Sequence, residues 1–457
     1  MKRYSIWSVT RARRVARRTA RLLAVTLWVL SALAIASAQS ADEQQADPTK
    51  KDEASSQQTD SAKKETSTEQ SKSAKNQTSQ QSNSVKSQDS TQTKDAAQQK
   101  DKRGGEFVIA PIPINSPALG AGLQFVVGYV TPLNKEDTVS PPSMFGLGGL
   151  VTNNGSRGLA LGTRLYMKED KYRFTIAAGK ASINARLYGE GRRAGDSGIF
   201  LPLNTKGGGL IAEALFRFKK GMYLGARFQY RNLRLSIDRD NSDLPPDTEI
   251  NPPPTLAPII ELIGEELFRH RTVSIGPRFQ WDTRDNTLYP RKGFFLDSGI
   301  DFFTEGLGSK FTYQYYKVGF NKYIGFRPNQ VIAFRVMGCG ASGDHVPIYD
   351  LCLFGAFNDI RGYSAGRYQD RRMFATQGEY RFTIPKTGFL GRFGLVGFAG
   401  FGAVGPKFTD IGGGDLLPGG GAGVRFRLTK TNPINFRVDY GFGKHGGTLS
   451  IGVLEAF

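Results

Sequence analysis

The residues best suited to specific chemistry lie in "FGAFNDIRGYSAGRYQDRRMFATQGEYRF", residues 354–382. Its centre is an Arg361–Gly362–Tyr363 step, preceded by Ile360, in a long loop that leads into an amphipathic strand. An arginine presents a planar fork of donors that can pair with two carboxylates or carbonyls, and glycine permits a tight backbone turn. These residues fit either an anchor inside the protein or a solvated surface arginine.

Groups able to perform catalysis or bind a metal are sparse. His270, His345 and His445 are each isolated in a loop or at a strand end, and no Ser/His/Asp set is placed by spacing. The stretches "GGGAG" and "IGGGD" are weak as phosphate-binding motifs. We therefore expect no enzymatic activity, no catalytic residue, no metal and no cofactor.

Two cysteines, Cys339 and Cys352, flank the start of the same loop. In an oxidising compartment they could form a bridge that pins the loop, or they could remain free thiols. Two cysteines are too few for a disulfide-rich scaffold, and the sequence leaves both states open.

The N-terminus is predicted to be a cleaved signal peptide, residues 1–38. Six arginines between Arg11 and Arg21 precede the apolar run "LLAVTLWVLSALAI", and "ASA" at 36–38 supplies a small–x–small cleavage site. The run has about 14 residues, short of the roughly 20 that a spanning helix needs, which favours an export signal over a single membrane anchor.

Residues 39–105 are predicted to be a disordered low-complexity linker. They are rich in Gln, Ser, Lys, Asp, Thr and Ala, and from residue 41 they contain no aromatic residue and only Val85 as a larger aliphatic. Such a segment cannot bury enough apolar surface to offset its ordering entropy. Much of the formal net charge of +20 belongs to the exported leader, so we expect no nucleic-acid partner.

Residues 106–457 alternate apolar and polar side chains with a period of two. In "MYLGARFQYRNLRL", Leu224, Ala226 and Phe228 share one face while Arg227 lies on the other, and "TVSIGPRFQWD" and "PINFRVDYG" repeat the pattern. These runs of about 10 to 14 residues can cross a bilayer at a tilt, whereas strands of soluble sandwiches have about 5 or 6 residues. Because lipid cannot satisfy an open sheet edge, such strands must close into a barrel.

We predict an all-β transmembrane antiparallel β-barrel of about sixteen strands. The strands start near residues 119, 143, 157, 171, 182, 205, 222, 269, 293, 311, 329, 372, 391, 416, 433 and 446. The long connections, 192–204, 237–268, 343–371 and 406–415, fall on one side, and the short "NNGSR", "FKKGM", "FRPNQ" and "TKTNP" fall on the other. This asymmetry indicates a multi-pass bacterial outer-membrane protein whose long loops face outward.

The last strand is predicted to carry an assembly signal. In "TLSIGVLEAF", Leu449, Ile451 and Val453 alternate, and the chain stops on Phe457. Bacterial outer-membrane strands commonly end on an aromatic residue that the barrel-assembly machinery recognises. Glu455 stands where a second aromatic is usual.

Residues 106–457 resemble the bacterial surface antigen superfamily, which contains BamA-like outer-membrane insertases and two-partner secretion transporters. The resemblance rests on "IRGY" at 360–363 with "GRYQDR" just after it, on "WDTRDNTLYPRKG" at 281–293, and on Phe457. It implies that the loop folds into the lumen, where Arg361 binds acidic residues of the inner wall. It also implies membrane-protein insertion or polypeptide export through a weak seam between the first and last strands.

The sequence departs from the family pattern at the expected partner of Arg361. The family places an Asp in an F-x-D-x-G pattern, but "GFAGFG" carries Gly400 at that position. By alternation the nearest inward acid is Glu379, because Tyr380 and Phe382 of the same strand face lipid. We therefore predict an Arg361–Glu379 contact.

A second departure concerns the POTRA domains with which family insertases recruit substrates in the periplasm. Only the predicted linker precedes the barrel here, so the chain resembles shortened members that lack POTRA domains.

The motif "DTRDNTLYPRKG" is predicted to form the periplasmic turn between the eighth and ninth strands. Pro290 and Gly293 would shape this turn, and Asp282 and Asp285 could bracket Arg284. A structural turn is the favoured interpretation.

Two functions remain open. The inner face is rich in arginine, at Arg227, Arg231, Arg278, Arg335, Arg381, Arg425, Arg427 and Arg437. If they line an open lumen, they favour a passive or anion-preferring channel; if they pair with acids and with the loop, they are structural. The family resemblance favours assembly or translocation, with outer-membrane lipid, the barrel-assembly machinery and unfolded outer-membrane or secreted polypeptides as partners.

Overall fold

The computed structural model describes residues 105–116, 120–237, 269–355 and 359–457. The predicted signal peptide and all but the last residue of the predicted linker lie outside the described residues, so both stay predictions. Within the described residues, no helix is long and apolar enough to cross a bilayer.

Sixteen strands form one antiparallel sheet in which each strand pairs with the next along the chain. They are β1 Glu106–Ser116, β2 Gly120–Thr131, β3 Ser143–Thr152, β4 Arg157–Met167, β5 Tyr172–Leu187, β6 Leu201–Lys219, β7 Met222–Ile237, β8 Arg269–Asp282, β9 Lys292–Phe303, β10 Tyr313–Arg327, β11 Gln330–Ser342, β14 Arg372–Thr383, β15 Phe393–Gly405, β16 Leu417–Arg427, β17 Asn435–Gly443 and β18 Gly446–Val453. The two-residue strands β12 Cys352–Leu353 and β13 Gln369–Asp370 pair with each other between β11 and β14. The predicted sixteen-stranded barrel is confirmed.

Alternation along each strand sorts side chains between the membrane and the lumen. On β17, Arg437 and Asp439 are buried, whereas Tyr440 and Phe442 are exposed. The same inversion recurs around the barrel, with exposed leucine, phenylalanine and valine outside and buried charges inside. This distribution is expected where the outer face of a sheet meets lipid.

The predicted strand count was reached through two compensating errors. "EFVIAPIPINS" forms β1, although no strand was predicted before residue 119. Proline disfavours strands in general, but an edge strand tolerates it where its missing N–H would face no partner. Conversely, β5 runs unbroken where strands starting near 171 and 182 were predicted, because the small residues of "AAGKAS" interrupt the apolar pattern without breaking the ladder.

The two ends of the barrel differ in their connections. The end that we call the loop end carries connections 188–200, 238–268, 343–371 and 406–416, and the turn end carries mostly shorter ones such as 220–221. Because one strand was missed before residue 119, the predicted side of "NNGSR" was wrong. This connection follows β3 and lies at the loop end.

The seam between β1 and β18 is closed without a ladder. Strand pairs run continuously from β1–β2 to β17–β18, and no pair joins β1 to β18 among the described residues. Instead, Ala110 and Ile112, which β1 turns inward, pack against Ile451, which β18 turns outward. Ile451 is only 9% exposed as a result. β1 therefore overlaps the outer surface of β18 rather than lying edge to edge with it.

Pro111 and Pro113 account for the missing ladder. They lie opposite Phe125 and Leu123 of β2, so the two prolines have the same parity along β1. Proline has no N–H and is accommodated in a sheet where that position points away from a partner strand. Both missing donors therefore lie on the free edge of β1, in the half nearer the loop end.

The opposite half of β1 is tied to the turn end by Glu106. Its carboxylate accepts backbone N–H groups from Lys430 at 3.1 Å, Thr431 at 2.8 Å and Asn432 at 2.8 Å, in the connection between β16 and β17. The seam is thus pinned at the turn end and lacks donors toward the loop end.

We expect the double substitution Pro111→Val/Pro113→Val to strengthen the seam. Two restored donors could form two further strand–strand hydrogen bonds, each contributing about 0.5–1.5 kcal/mol. Hydrogen–deuterium exchange in β18 should slow and the unfolding temperature should rise. Ile109→Val, on the same face of β1 and without a new donor, is the control. Unchanged exchange in the double variant would contradict this explanation of the seam.

Candidate functional site

The loop 343–371 folds back into the lumen. Ile360 is fully buried, Arg361 is 4% exposed, and Tyr363 is likewise buried. A disulfide joins Cys339, on the inward face of β11, to Cys352 at the start of the loop. The short β12–β13 pair then closes the base of the inserted segment.

Gly362 allows the loop to lie directly on the backbone of β17. Its φ of +114° is in the region that favours glycine, and a Cβ there would be 2.5 Å from the carbonyl oxygen of Phe442. On the facing strand, a Cβ at Gly441 would lie 2.7 Å from the Gly362 nitrogen. Glycines on both sides therefore permit contact between the two backbones.

The guanidinium of Arg361 is held by three side chains of the inner wall. It pairs with Glu379 on β14, donates to Asp439 Oδ2 on β17 at 2.8 Å, and donates through Nε to Gln377 Oε1 at 3.0 Å. Its carbon lies 3.5 Å from the ring centroid of Phe398 on β15, a cation–π contact. All of its polar contacts are buried.

A wider ion-pair cluster surrounds these contacts. Glu379 also accepts from Arg381 Nε at 2.6 Å, and Asp439 also pairs with Arg425 at 2.5 Å and Arg437 at 3.1 Å. A third carboxylate, that of Glu455, accepts from Arg425 Nε at 2.7 Å. Four guanidinium groups thus share three carboxylates in the wall formed by β14 to β17 and the segment after β18.

Tyr363 fixes the other side of the motif. Its hydroxyl donates to the carbonyl of Pro418 at 2.6 Å and accepts the backbone N–H of Lys444 at 3.2 Å. Its ring makes edge contacts with Phe354 and Tyr368 of the same loop. Arg361 and Tyr363 therefore attach the loop to the wall on β14 and on β16 to β18.

The predicted partner Glu379 lies at the Arg361 guanidinium, whereas Asp439 and Gln377 were not predicted as partners. In "PINFRVDYG", alternation places Asp439 on the same inner face as Arg437. Alternation does not predict which residues of two remote strands lie at the same height in the barrel. The family's acid position is occupied by Gly400, where a Cβ would lie 3.0 Å from Ile360 Cδ1. The apolar Ile360 fills the space near this glycine.

The motif between β8 and β9 is built around Asp282. This carboxylate accepts from Arg284 Nε at 2.8 Å and from Arg173 Nη1 at 2.9 Å. Asp285 does not bracket Arg284 as predicted but accepts the backbone N–H groups of Arg291 and Lys292 at 2.9 and 3.1 Å. Its short side chain is satisfied within the turn.

The same connection reaches across the turn end of the barrel. Leu288 packs against Val108 of β1 and Ile434, on the far side of the mouth, and Pro290 is buried beside it. Gly293 has a φ of +92°, and a Cβ there would lie 2.1 Å from the carbonyl oxygen of Thr283. The predicted turn residues thus shape a segment that folds across the barrel.

Phe457 lies inside the barrel, beyond the end of β18. It packs with Tyr323 and Ala333 on the inner wall, and its backbone oxygen accepts from Arg381 Nη2 at 2.7 Å. Leu454, with a φ of +72°, turns the chain inward. Recognition of Phe457 by the assembly machinery stays a prediction, and it concerns the chain before it folds.

Most of the predicted inner-face arginines are paired. Arg278 contacts Glu213 at 3.1 Å and Asp297 at 2.8 Å, and Arg231 pairs with Asp350 of the inserted loop. Within the described ranges, no group of three or more His, Cys, Asp or Glu side chains is arranged to hold a metal ion. The arginines serve chiefly to join the wall to itself and to the loop.

Three connections meet at the loop end in a polar cluster, which we call the loop-end cap. The helix α1, Gly191–Ser197, places Asp196 where it accepts from Lys444 Nζ at 2.7 Å, Tyr368 Oη at 2.7 Å and pairs with His445 Nε2 at 3.3 Å. Burial raises the pKa of Asp196, but hydrogen bonds from these three side chains outweigh it and lower the pKa to about 2. Burial, with Arg367 nearby, lowers the pKa of His445.

The family model described as an Omp85 superfamily domain matches residues 152–449, and this match confirms the resemblance to the surface antigen superfamily. One similar solved structure is BamA from Haemophilus ducreyi lacking POTRA domains 1-3, with a TM-score of 0.45 and 13% identity, covering 80% of this chain and 77% of that chain. Another is CdiB from Acinetobacter baumannii, with a TM-score of 0.45 and 11% identity, covering 77% of this chain and 65% of that chain. No curated protein matches the sequence.

We expect Arg361→Ala and Glu379→Ala both to lower the temperature at which the folded barrel unfolds in detergent. Removing one partner of a buried ion pair costs about 3–5 kcal/mol, because the other charge is left buried. The unfolding temperature of the double variant should fall by less than the sum of the decreases in the two single variants. If Glu379→Ala leaves the heat resistance unchanged while Arg361→Ala lowers it, the Arg361–Glu379 pair does not hold the loop.

We expect the loop-end cap to loosen on acidification. The stabilisation from Asp196 is fully present above its unfolded pKa of 3.8 and is lost as the pH falls through 3.8 toward 2. His445 is neutral in the fold, so its protonation below its ordinary pKa of 6.5 adds a further loss. Protection of residues 188–200 in hydrogen exchange should therefore fall between pH 7 and pH 3.

Asp196→Asn should weaken the hydrogen-exchange protection of residues 188–200 already at pH 7 and abolish its further fall below pH 4. The exposed Asp410→Asn, at the same end of the barrel, is the control. If protection still falls below pH 4 in Asp196→Asn, the acid response belongs to other groups.

Proposed function

Since this chain belongs to the Omp85 superfamily, we propose that it inserts or translocates unfolded polypeptides at the seam between β1 and β18. As a superfamily member with a sixteen-stranded barrel, it is an outer-membrane protein. Members of this superfamily act as assembly factors or transporters rather than as enzymes. We further propose that the loop end faces outward and that Arg361 anchors the inserted loop.

The unpaired seam is the observation that carries this proposal. A strand edge with free N–H and C=O groups is a template for another strand. The half of β1 near the turn end keeps its donors, at Phe107 and Ile109, while Pro111 and Pro113 remove them farther along. An incoming strand could therefore pair with β1 from the turn end after β1 and β18 separate.

The lumenal anchor supports the wall beside this seam. Arg361 and Gly362 hold the inserted loop on β17, which pairs with β18. A loop fixed in this way would keep β17 in place while the contact between β1 and β18 changes. This gives Arg361 a positioning role rather than direct contact with a client.

The alternative is a passive or anion-preferring channel. It is less well supported, because loop 343–371 enters the lumen from one end and connection 283–291 crosses the mouth at the other. The arginines that would attract anions are largely engaged by carboxylates, as at Arg278 and Arg231.

The test uses the protein purified from membranes and reconstituted into liposomes, with an unfolded outer-membrane protein added outside. We expect the client to fold faster than with empty liposomes, and Arg361→Ala to reduce this acceleration about tenfold or more, as a misplaced positioning element can. Arg278→Ala is the matched control, since it removes a buried lumenal arginine that pairs only with the wall in the contacts described above.

Pro111→Val/Pro113→Val supplies a second arm that acts at the seam itself. We expect slower client folding from a barrel that remains folded. No acceleration by the unmodified protein, together with anion leakage, would instead support the channel.

A further inference from the structure

A groove lies on the membrane-facing surface of β7 to β11. Leu224 and Val318 form part of its walls, are 54% and 45% exposed, and point away from the lumen. Its volume is about 530 Å³, within the range of about 300–1,000 Å³ typical of small-molecule sites.

Small residues make the groove. Gly338 on β11 pairs with Val318 on β10 and so lies on the same outward face. A Cβ at Gly338 would come within 3.0 Å of Val318 Cγ1, so a larger side chain would occupy the groove. Ser298 and Pro277 on the neighbouring strands also line it and leave a depression between apolar walls.

Arg372 closes the groove toward the loop end. It lies opposite Gly340, two residues along from Gly338, and is therefore on the membrane side of β14. Its guanidinium donates to the carbonyls of Ala341 and Arg371, the latter at 2.8 Å, and to Ser342 Oγ at 2.9 Å. These three partners are neutral.

The positive charge of Arg372 has no ion-pair partner in the part of the chain that the structure describes. Asp370 acts on it at longer range from within the loop, where its carboxylate accepts the Arg371 backbone N–H at 2.6 Å. A cation on the lipid face costs about 2–4 kcal/mol at the bilayer midplane but about 0–1 near an interface. Its position at the end of β14 therefore suits the level of lipid phosphates.

We propose that this groove binds one anionic phospholipid of the loop-end leaflet, with an acyl chain along Gly338 and Val318 and the phosphate at Arg372. An aliphatic chain matches the apolar walls, and a guanidinium binds phosphate through parallel charge-assisted hydrogen bonds. Phe408, exposed on connection 406–416, lines the same end and offers an aromatic contact at headgroup level.

The test measures lipid binding to the purified protein in mild detergent by native mass spectrometry. Phosphatidylglycerol and phosphatidylcholine with identical acyl chains are the probes. We expect one tightly bound lipid and a preference of about tenfold for the anionic one, the size expected for a charge-assisted contact. Arg372→Gln should abolish this preference, and Gly338→Leu should weaken both lipids together.

Two matched variants separate the groove from the general membrane surface. Arg392→Gln removes an arginine that also donates to backbone carbonyls, at 2.8 and 2.9 Å, but at the turn end. Gly397→Leu adds a side chain on the outward face of β15, where a Cβ meets nothing within 4 Å. Both should bind lipid as the unmodified protein does.

An equal loss of the preference for phosphatidylglycerol in Arg372→Gln and Arg392→Gln would overturn the proposal, since any interfacial arginine would then suffice. Unchanged binding in Gly338→Leu would overturn it as well. Should that variant fail to fold, Gly340→Ala replaces it, because a Cβ there meets Arg372 Cδ at an ordinary 3.4 Å.

Discussion

The buried guanidinium of Arg361 is the interaction on which the arrangement of the lumen depends. A charge enclosed in this way is tolerated only if carboxylates and further hydrogen bonds meet it at fixed positions. Glu379 and Asp439 meet it from β14 and β17, which are three strand intervals, or about 14 Å, apart in a flat sheet. One guanidinium can reach both because the wall curves around it and the side chains extend inward. The ion pairs therefore couple the position of the loop to the curvature of the wall.

The seam between β1 and β18, in contrast, is held by contacts that require no defined direction. Elsewhere each strand is held by a ladder on both edges, but β1 is held to β18 by nondirectional apolar contacts at Ala110, Ile112 and Ile451. Apolar contacts tolerate sliding and separation, whereas a ladder must break one hydrogen bond after another. The prolines of β1 thus place the contact that lacks a ladder next to the wall that carries the ion pairs of Arg361.

Each sequence pattern predicts only the structural property that it reflects. Alternation reports which face a side chain occupies, so it identified Glu379 as an inward acid. Alternation does not report the register between distant strands. Because Asp439 is 78 residues from Arg361, the contact between them could not be predicted from the sequence. β1 was missed because proline weighs against a strand in general, although here it marks a free edge. The cap around Asp196 depends on three loop-end connections meeting, which no local pattern encodes.

The glycine at the family's acid position shows how the anchor is divided between two kinds of contact. Ile360 packs where a Cβ at Gly400 or at Gly419 would come within 3.0 or 2.8 Å of its side chain. A carboxylate at Gly400 would occupy this space and leave Ile360 without its apolar surroundings. With glycine there, apolar packing on β15 and β16 sets how deeply the loop enters. The directional ion pairs to β14 and β17 then fix its orientation, because charge-assisted hydrogen bonds require defined geometry and apolar packing alone does not.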